Sequence, residues 1–269
     1  MNLLNAIFLG FLQGATEFLP ISSSGHLVIA EHFMGVKQAG LPFDVSLHMG
    51  TLLAILVYFR HDFFLMGKSL VRRSDNDKKT LFHRRLSGFI CIATLPAVIA
   101  ALMFGHAAET FLRDPLIVAV TLSTAGLLLL LAEKRATRSR DLHSISLIDV
   151  ILIGLFQAIA IIPGVSRSGI TMTAGLLRGF DRQAVARFSF LMSAPIIFGA
   201  GVYNIPAIIE QGLKPDIFPF YLAGFVSAAV SGYFFIAFLL KFIRTRSFEV
   251  FAYYRFVLSA AVLLFLRLG

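Results

Sequence analysis

From Leu116 to Ala132 the chain runs 17 residues without one ionisable side chain. Coiled as a helix, such a run is roughly 25 Å long, close to the roughly 30 Å hydrocarbon layer of a bilayer. Comparable runs recur, and 57% of the 269 residues are hydrophobic while only 14% are charged. Soluble domains have about 45–50% and about 25%, so a soluble globular fold is excluded. A transmembrane β-barrel is excluded too, because it requires segments of about 10 residues that alternate apolar and polar positions. What remains is an all-α, polytopic membrane protein, read as a single integral membrane domain over residues 1–269.

The loops orient the helices. Eighteen of the 24 Lys and Arg residues fall in four segments, 60–85, 134–140, 178–187 and 241–246. By the positive-inside rule these face the cytoplasm. The links 106–115 and 205–219 carry one Lys or Arg each, with Glu109, Asp114, Glu210 and Asp216, and should face the other side. Topology therefore accounts for most of the excess of 24 basic over 15 acidic residues, and nucleic acid is not expected as a partner. Six transmembrane helices follow, at about 45–59, 86–104, 116–132, 188–203, 218–240 and 251–267. The segments 1–32 and 148–177 each begin and end on one side, so each is expected to be a re-entrant helical hairpin. Residues 1–19 lack the basic start of a signal peptide and are read as mature structure. Cys91 is the only cysteine, so an intrachain disulfide is impossible.

The two hairpin tips resemble each other. Gln13 precedes Pro20-Ile21-Ser22-Ser23-Ser24-Gly25, and Gln157 precedes Pro163-Gly164-Val165-Ser166-Arg167-Ser168-Gly169. With one hairpin and three spans per half, the halves, roughly 1–135 and 145–269, should lie in the membrane as an inverted repeat. In that architecture broken helices form a site near the midplane.

Glu17, His26 and Arg167 are ionisable residues in apolar surroundings, where an unpaired charge costs several kcal/mol, so they are candidate functional groups. A purely structural Glu17–Arg167 ion pair is the competing reading. Gln13 and Glu17 share a helix face, and their oxygens could hold a hard divalent cation. Ser22 and Ser23 stand four and three residues before His26, a spacing that brings a hydroxyl to the imidazole for nucleophilic attack on phosphorus. Capping is the alternative role for Ser22, Ser23 and Ser24. Ser166, Arg167 and Ser168 suggest an oxyanion cradle, because a guanidinium fork matches phosphate oxygens. Thr171, four residues beyond Arg167, could add a hydroxyl on the same face. Asp44 and His48, at the start of the first span, could support the site from behind its contacting residues, but are read first as structural. His32, His61, His83, His106 and His143 are expected at solvated interfaces.

The motif from Gln13 to His26, Phe43-Asp44-Val45, the motif from Pro163 to Gly169, and Phe188-Ser189-Phe190-Leu191 closely resemble the bacterial undecaprenyl-diphosphate phosphatase family associated with bacitracin resistance. The resemblance covers essentially the whole chain. It implies an inner-membrane, multi-pass phosphatase that removes the terminal phosphate of the C55 isoprenoid diphosphate, recycling the carrier lipid of cell-wall (peptidoglycan) synthesis. The site would open to the periplasmic side and need a divalent cation, Mg²⁺ or Ca²⁺. The family pattern allows Glu or Gln at position 13, so Glu17 is the sole acid of that motif here, and phosphate oxygens or water would complete the metal shell. Under this reading Glu17, Ser23, His26 and Arg167 are the catalytic residues, with Ser23 the candidate nucleophile. Ser22, Ser24, Ser166, Ser168 and Thr171 bind substrate, and Glu17 and Gln13 hold the metal. The partners are the polyprenyl diphosphate and membrane lipid, and a homodimer is compatible with the chain. A transporter or flippase of a phosphorylated polyprenyl lipid is the alternative, because it shares the anion site and the broken helices.

Overall fold

The computed structural model describes residues 2–35, 40–71, 77–212 and 214–268. These form helices, with no strand among the described residues, and six are long and apolar enough to cross a membrane. The six are α3 (Gly40–Tyr58), α5 (Lys78–Glu109), α6 (Pro115–Arg135), α9 (Arg182–Tyr203), α11 (Phe218–Phe242) and α12 (Glu249–Leu268). Five of them contain a span expected from the sequence, and α3 covers the sixth, 45–59, up to Tyr58. Between them lie α1 (Leu3–Phe18), α2 (Ser23–Met34), α4 (Arg60–Val71), α7 (Leu147–Ile159), α8 (Arg167–Leu177) and α10 (Ile205–Gly212). At 16, 12, 13 and 11 residues, α1, α2, α7 and α8 are each roughly 16–24 Å long, too short to span alone. Residues 72–76 of the basic 60–85 segment and residue 213 of the 205–219 link lie outside the described residues.

The two breaks are built alike. Pro20 disfavours helical geometry at the residue before it, and Leu19 is extended at φ −69° and ψ 141°. Ser22 then caps α2 from a left-handed conformation, φ 75°, its hydroxyl accepting a hydrogen bond from the Gly25 amide at 3.2 Å. In the second break Ser166 caps α8 at φ 71°, accepting from the Gly169 amide at 3.1 Å. Ser22, Ser166 and Arg138 are the only non-glycine residues with positive φ among those described. Such a conformation costs on the order of 1–3 kcal/mol and persists only where the surroundings enforce it. Ser23 and Arg167, each the first helical residue after a strained cap, therefore occupy equivalent positions in the two breaks.

Helix packing is matched between the halves as the breaks are. Helix α1 packs on α11 and α7 on α5, while α3 meets α9 and α6 meets α12. The α1–α11 interface is made of small residues: a Cβ at Gly14 would lie 2.5 Å from the Ala228 carbonyl oxygen, and one at Gly10 would lie 2.3 Å from that of Gly224. Dispersion between closely approaching backbones replaces the hydrophobic effect as the association force within lipid. Between α5 and α7, a Cβ on Gly154 would stand 2.8 Å from the Ala93 carbonyl oxygen.

Ion pairs separate the two ends of the bundle as the loop charges do. Arg187 pairs with Asp62, Arg182 and Arg138 with Glu133, and Arg140 and Arg178 with Asp149, all within or between the basic segments and the helix ends beside them. Arg113 of the 106–115 link instead reaches Glu31 at 3.1 Å and Asp44 at 2.9 Å. Of the five histidines expected at solvated interfaces, His83 departs. It is buried, with Nδ1 donating to the Lys79 carbonyl at 2.7 Å.

Candidate active site

The two breaks converge. A cavity of about 260 Å³ has a polar floor formed by Glu17, Ser23, Ser24, His48, Ser166 and Arg167, with Gln157 beside them. Its walls are apolar, and include Ala97 and Ala101 of α5 and Ile196, Ile197 and Ala200 of α9.

Glu17 is the hub. Its Oε1 accepts a hydrogen bond from Arg167 Nη2 across 150 residues of sequence. Its Oε2 accepts from Ser23 Oγ at 2.5 Å and from Gln13 Nε2 at 3.0 Å. His48 Nε2 stands 3.6 Å from the same oxygen. Arg167 keeps one buried nitrogen, Nη1, without a hydrogen-bond partner. A buried unsatisfied donor on a charged group is expensive, and beside a cavity it is a ready contact for an anion. The first turns of α2 and α8 also start at this cavity, and their free amides and helix dipoles favour negative charge.

The expected site residues divide. Glu17, Ser23, Ser24, Ser166 and Arg167 line the cavity. Ser22 does not: it is fully buried and is a cap, as the alternative reading of the serines held. Ser168 donates to the Leu19 carbonyl at 3.1 Å and so ties one break to the other. Thr171 turns away from the cavity towards α9, its Oγ1 lying 2.8 Å from both the Arg167 carbonyl and Ser189 Oγ. Four-residue spacing placed it one turn beyond Arg167, but the Arg167 backbone takes its hydroxyl.

His26 differs most from the spacing argument, because its ring meets no serine hydroxyl. Nδ1 lies 2.7 Å from the Ser22 carbonyl, which can only accept, so Nδ1 carries the hydrogen. In the neutral ring Nε2 then accepts from the Tyr254 hydroxyl at 2.8 Å, and the two rings stack at 5.6 Å. Ser23, three residues before His26, is drawn to the charged carboxylate of Glu17, the stronger acceptor.

Sequence reasoning passed over three contributors. His48 was read as structural, yet it faces the cavity with its side chain 28% exposed. Tyr254 carried no signal beyond being aromatic. Arg255 did carry one, as a cation inside an apolar span. Its fully buried guanidinium donates to the carbonyls of Leu122 at 3.0 Å, Gly164 at 2.7 Å and Val165 at 2.9 Å, and reaches that of Pro20 at 3.5 Å.

For a divalent cation, no group of three or more His, Cys, Asp or Glu side chains gathers among the described residues. Glu17 and His48 nevertheless stand together, and Gln13 Oε1, next to them, is buried with no partner. These donors fit a cation whose remaining ligands come from phosphate or water.

Fold and site together define a multi-pass helical membrane protein with a buried polar site, centred on a Glu17–Arg167 pair, between two broken helices. Residues 6–261 match the family model of the bacitracin resistance protein BacA, and the chain belongs to that family. A relative from Rubrobacter xylanophilus, named undecaprenyl-diphosphatase, is 43% identical over 268 residues, covering 97% of each chain. Relatives of the same name from Pelobacter propionicus and Moorella thermoacetica are also 43% identical, over 97% of this chain and 96% and 97% of theirs.

Proposed function

We propose that this protein is an undecaprenyl-diphosphatase, releasing the terminal phosphate of the C55 isoprenoid diphosphate to leave the monophosphate and so conferring bacitracin resistance. One observation carries the reading: a serine hydroxyl and an arginine fork, from two separate helix breaks, meet on one carboxylate at the floor of an apolar-walled cavity. Glu17 holds the Ser23 hydrogen, so a lone pair of Oγ is free to face the cavity. Ser23 Oγ then attacks the terminal phosphorus as its proton passes to Glu17, the phosphoric anhydride bond breaks to release the lipid monophosphate, and water hydrolyses the phosphoserine to inorganic phosphate and restores Ser23. The orphaned Nη1 of Arg167 and the amides at the starts of α2 and α8 take the charge that develops on the phosphoryl oxygens. Glu17 and Gln13 would hold the divalent cation, which when bound would supply charge neutralisation to the diphosphate. His26, locked between Ser22 and Tyr254, orients the start of α2. The apolar walls receive the first isoprene units of a tail that continues into lipid.

Purified, detergent-solubilised protein given undecaprenyl diphosphate should release inorganic phosphate. Binding without release would favour the transporter or flippase reading, which needs the anion site but no bond cleavage.

The same proposal includes an inverted repeat of halves 1–135 and 145–269, set in the inner membrane with the cavity open to the periplasm. The exchange of packing partners between halves and the split of ion pairs between ends support it. In a Cys91→Ser background, Leu3→Cys and Thr110→Cys should react with an impermeant thiol reagent on intact spheroplasts, whereas Ser139→Cys should react only after lysis. Labelling of Ser139→Cys before lysis would reverse the orientation.

A further inference from the structure

We infer that His48 is a direct protein ligand of the divalent cation, with Glu17, and that the site accordingly accepts a first-row cation able to bind imidazole nitrogen, such as Mn²⁺. The inference deepens the phosphatase reading and rests on it only for the identity of the substrate.

Three observations converge. The first is the tautomer. His48 Nδ1 lies 2.8 Å from the Asp44 carbonyl oxygen, which has no hydrogen to give, so Nδ1 must donate. In the neutral ring, the form that binds a metal, Nε2 therefore presents a lone pair towards the cavity. Metal-bound histidines are commonly set in this way, with the second nitrogen donating to a carbonyl that fixes the ring. Asp44 is itself held by Arg113 at 2.9 Å, which anchors the start of α3. The second observation is spacing. Nε2 and Glu17 Oε2 are 3.6 Å apart, too far for a good hydrogen bond. Two ligands that each lie about 2.1 Å from one cation are separated by about this distance at an angle between tetrahedral and trigonal. The third is the neighbouring donor. Gln13 is fully buried, its Oε1 lacks any partner, and its amide nitrogen already touches the Glu17 carboxylate.

The imidazole of the Gln13–His26 motif cannot do this, because both ring nitrogens of His26 are engaged, by the Ser22 carbonyl and Tyr254. A neutral amide oxygen is a weaker ligand than a carboxylate, so an imidazole from α3 adds donor strength that Gln13 alone does not supply. Imidazole suits the transition-metal end of the divalent series, whereas Ca²⁺ and Mg²⁺ prefer oxygen alone.

The test uses the full-length protein in detergent, stripped with chelator and titrated with Mn²⁺ alone. Electron spin-echo modulation of bound Mn²⁺ should show coupling to a directly coordinated ¹⁴N in the wild type. His48→Gln should abolish that coupling and weaken Mn²⁺ binding about 10-fold or more, while His26→Gln should keep the coupling. Helical content by circular dichroism checks that the variants fold, and the wild-type spectrum decides even if they do not. A wild-type protein that binds no Mn²⁺, or binds it without nitrogen coupling, overturns the inference, as does persistence of the coupling in His48→Gln. Phosphate release measured on the same wild-type sample separates the two claims. Release without nitrogen coupling sinks the His48 assignment alone, and nitrogen coupling without release sinks the phosphatase reading alone.

Discussion

Arg167→Lys should slow phosphate release on the order of 100-fold, although it keeps the positive charge. In the structure Arg167 divides its fork, with Nη2 on Glu17 and Nη1 buried and unpartnered at the cavity. A lysine offers one compact ammonium, which can stay with Glu17 or follow the phosphate but cannot bridge both. Transition-state stabilisation of about 3 kcal/mol would be lost, corresponding to about two powers of ten in rate. Ground-state binding should suffer less, because charge attraction to the diphosphate survives. The split is therefore in turnover more than in KM. A transporter would show the opposite balance. Monodisperse Arg167→Lys with near-normal release would remove Arg167 from the reaction and leave its pairing with Glu17 as a structural contact.

That ion pair also shows how much of the site could be read in the sequence. Glu17 and Arg167 stand out because charge in an apolar run demands a partner, and the structure supplies it from the other half of the chain. The six spans were equally legible, since uncharged length decides them. The Pro-Ile-Ser-Ser-Ser and Pro-Gly-Val-Ser motifs located both breaks, because proline ends a helix and a serine after it caps the next. Side-chain direction was not legible. Helical spacing puts Thr171 below Arg167 and Ser23 beside His26, but it cannot tell that the Arg167 backbone takes the first hydroxyl, or that Glu17 outcompetes His26 for the second. His48 was underrated for a related reason. Its importance comes from facing Glu17, which lies on a different helix, and nothing within α3 reports that contact.

Arg255 is the clearest case of a signal present but not followed, and Arg255→Met should be among the most damaging single changes in the chain. Its guanidinium has no carboxylate partner among the described residues. It is stabilised by backbone carbonyls of α6 and of the second break, with the first break at longer reach. The carbonyl of Leu122 lies inside α6, but those of Pro20, Gly164 and Val165 lie where the helices are interrupted and cannot be satisfied within a helix. Each carbonyl left buried without a donor costs about 1–3 kcal/mol, and three of them approach the whole stability of an ordinary domain, roughly 5–15 kcal/mol. The left-handed caps at Ser22 and Ser166 depend on the same enforcement, so Ser23 and Arg167 should lose their shared orientation. The expected result is a fall in thermal midpoint of several degrees together with loss of nearly all phosphate release. The chain has no tryptophan, so the midpoint is followed by circular dichroism in detergent. Arg255→Lys should recover part of the stability but little activity, since one ammonium cannot span carbonyls on separate elements. Tyr254→Phe, next to it, removes only the hydroxyl that meets His26 and should change the midpoint little. An Arg255→Met protein that melts and turns over like the wild type would show that the two breaks hold their geometry without the arginine.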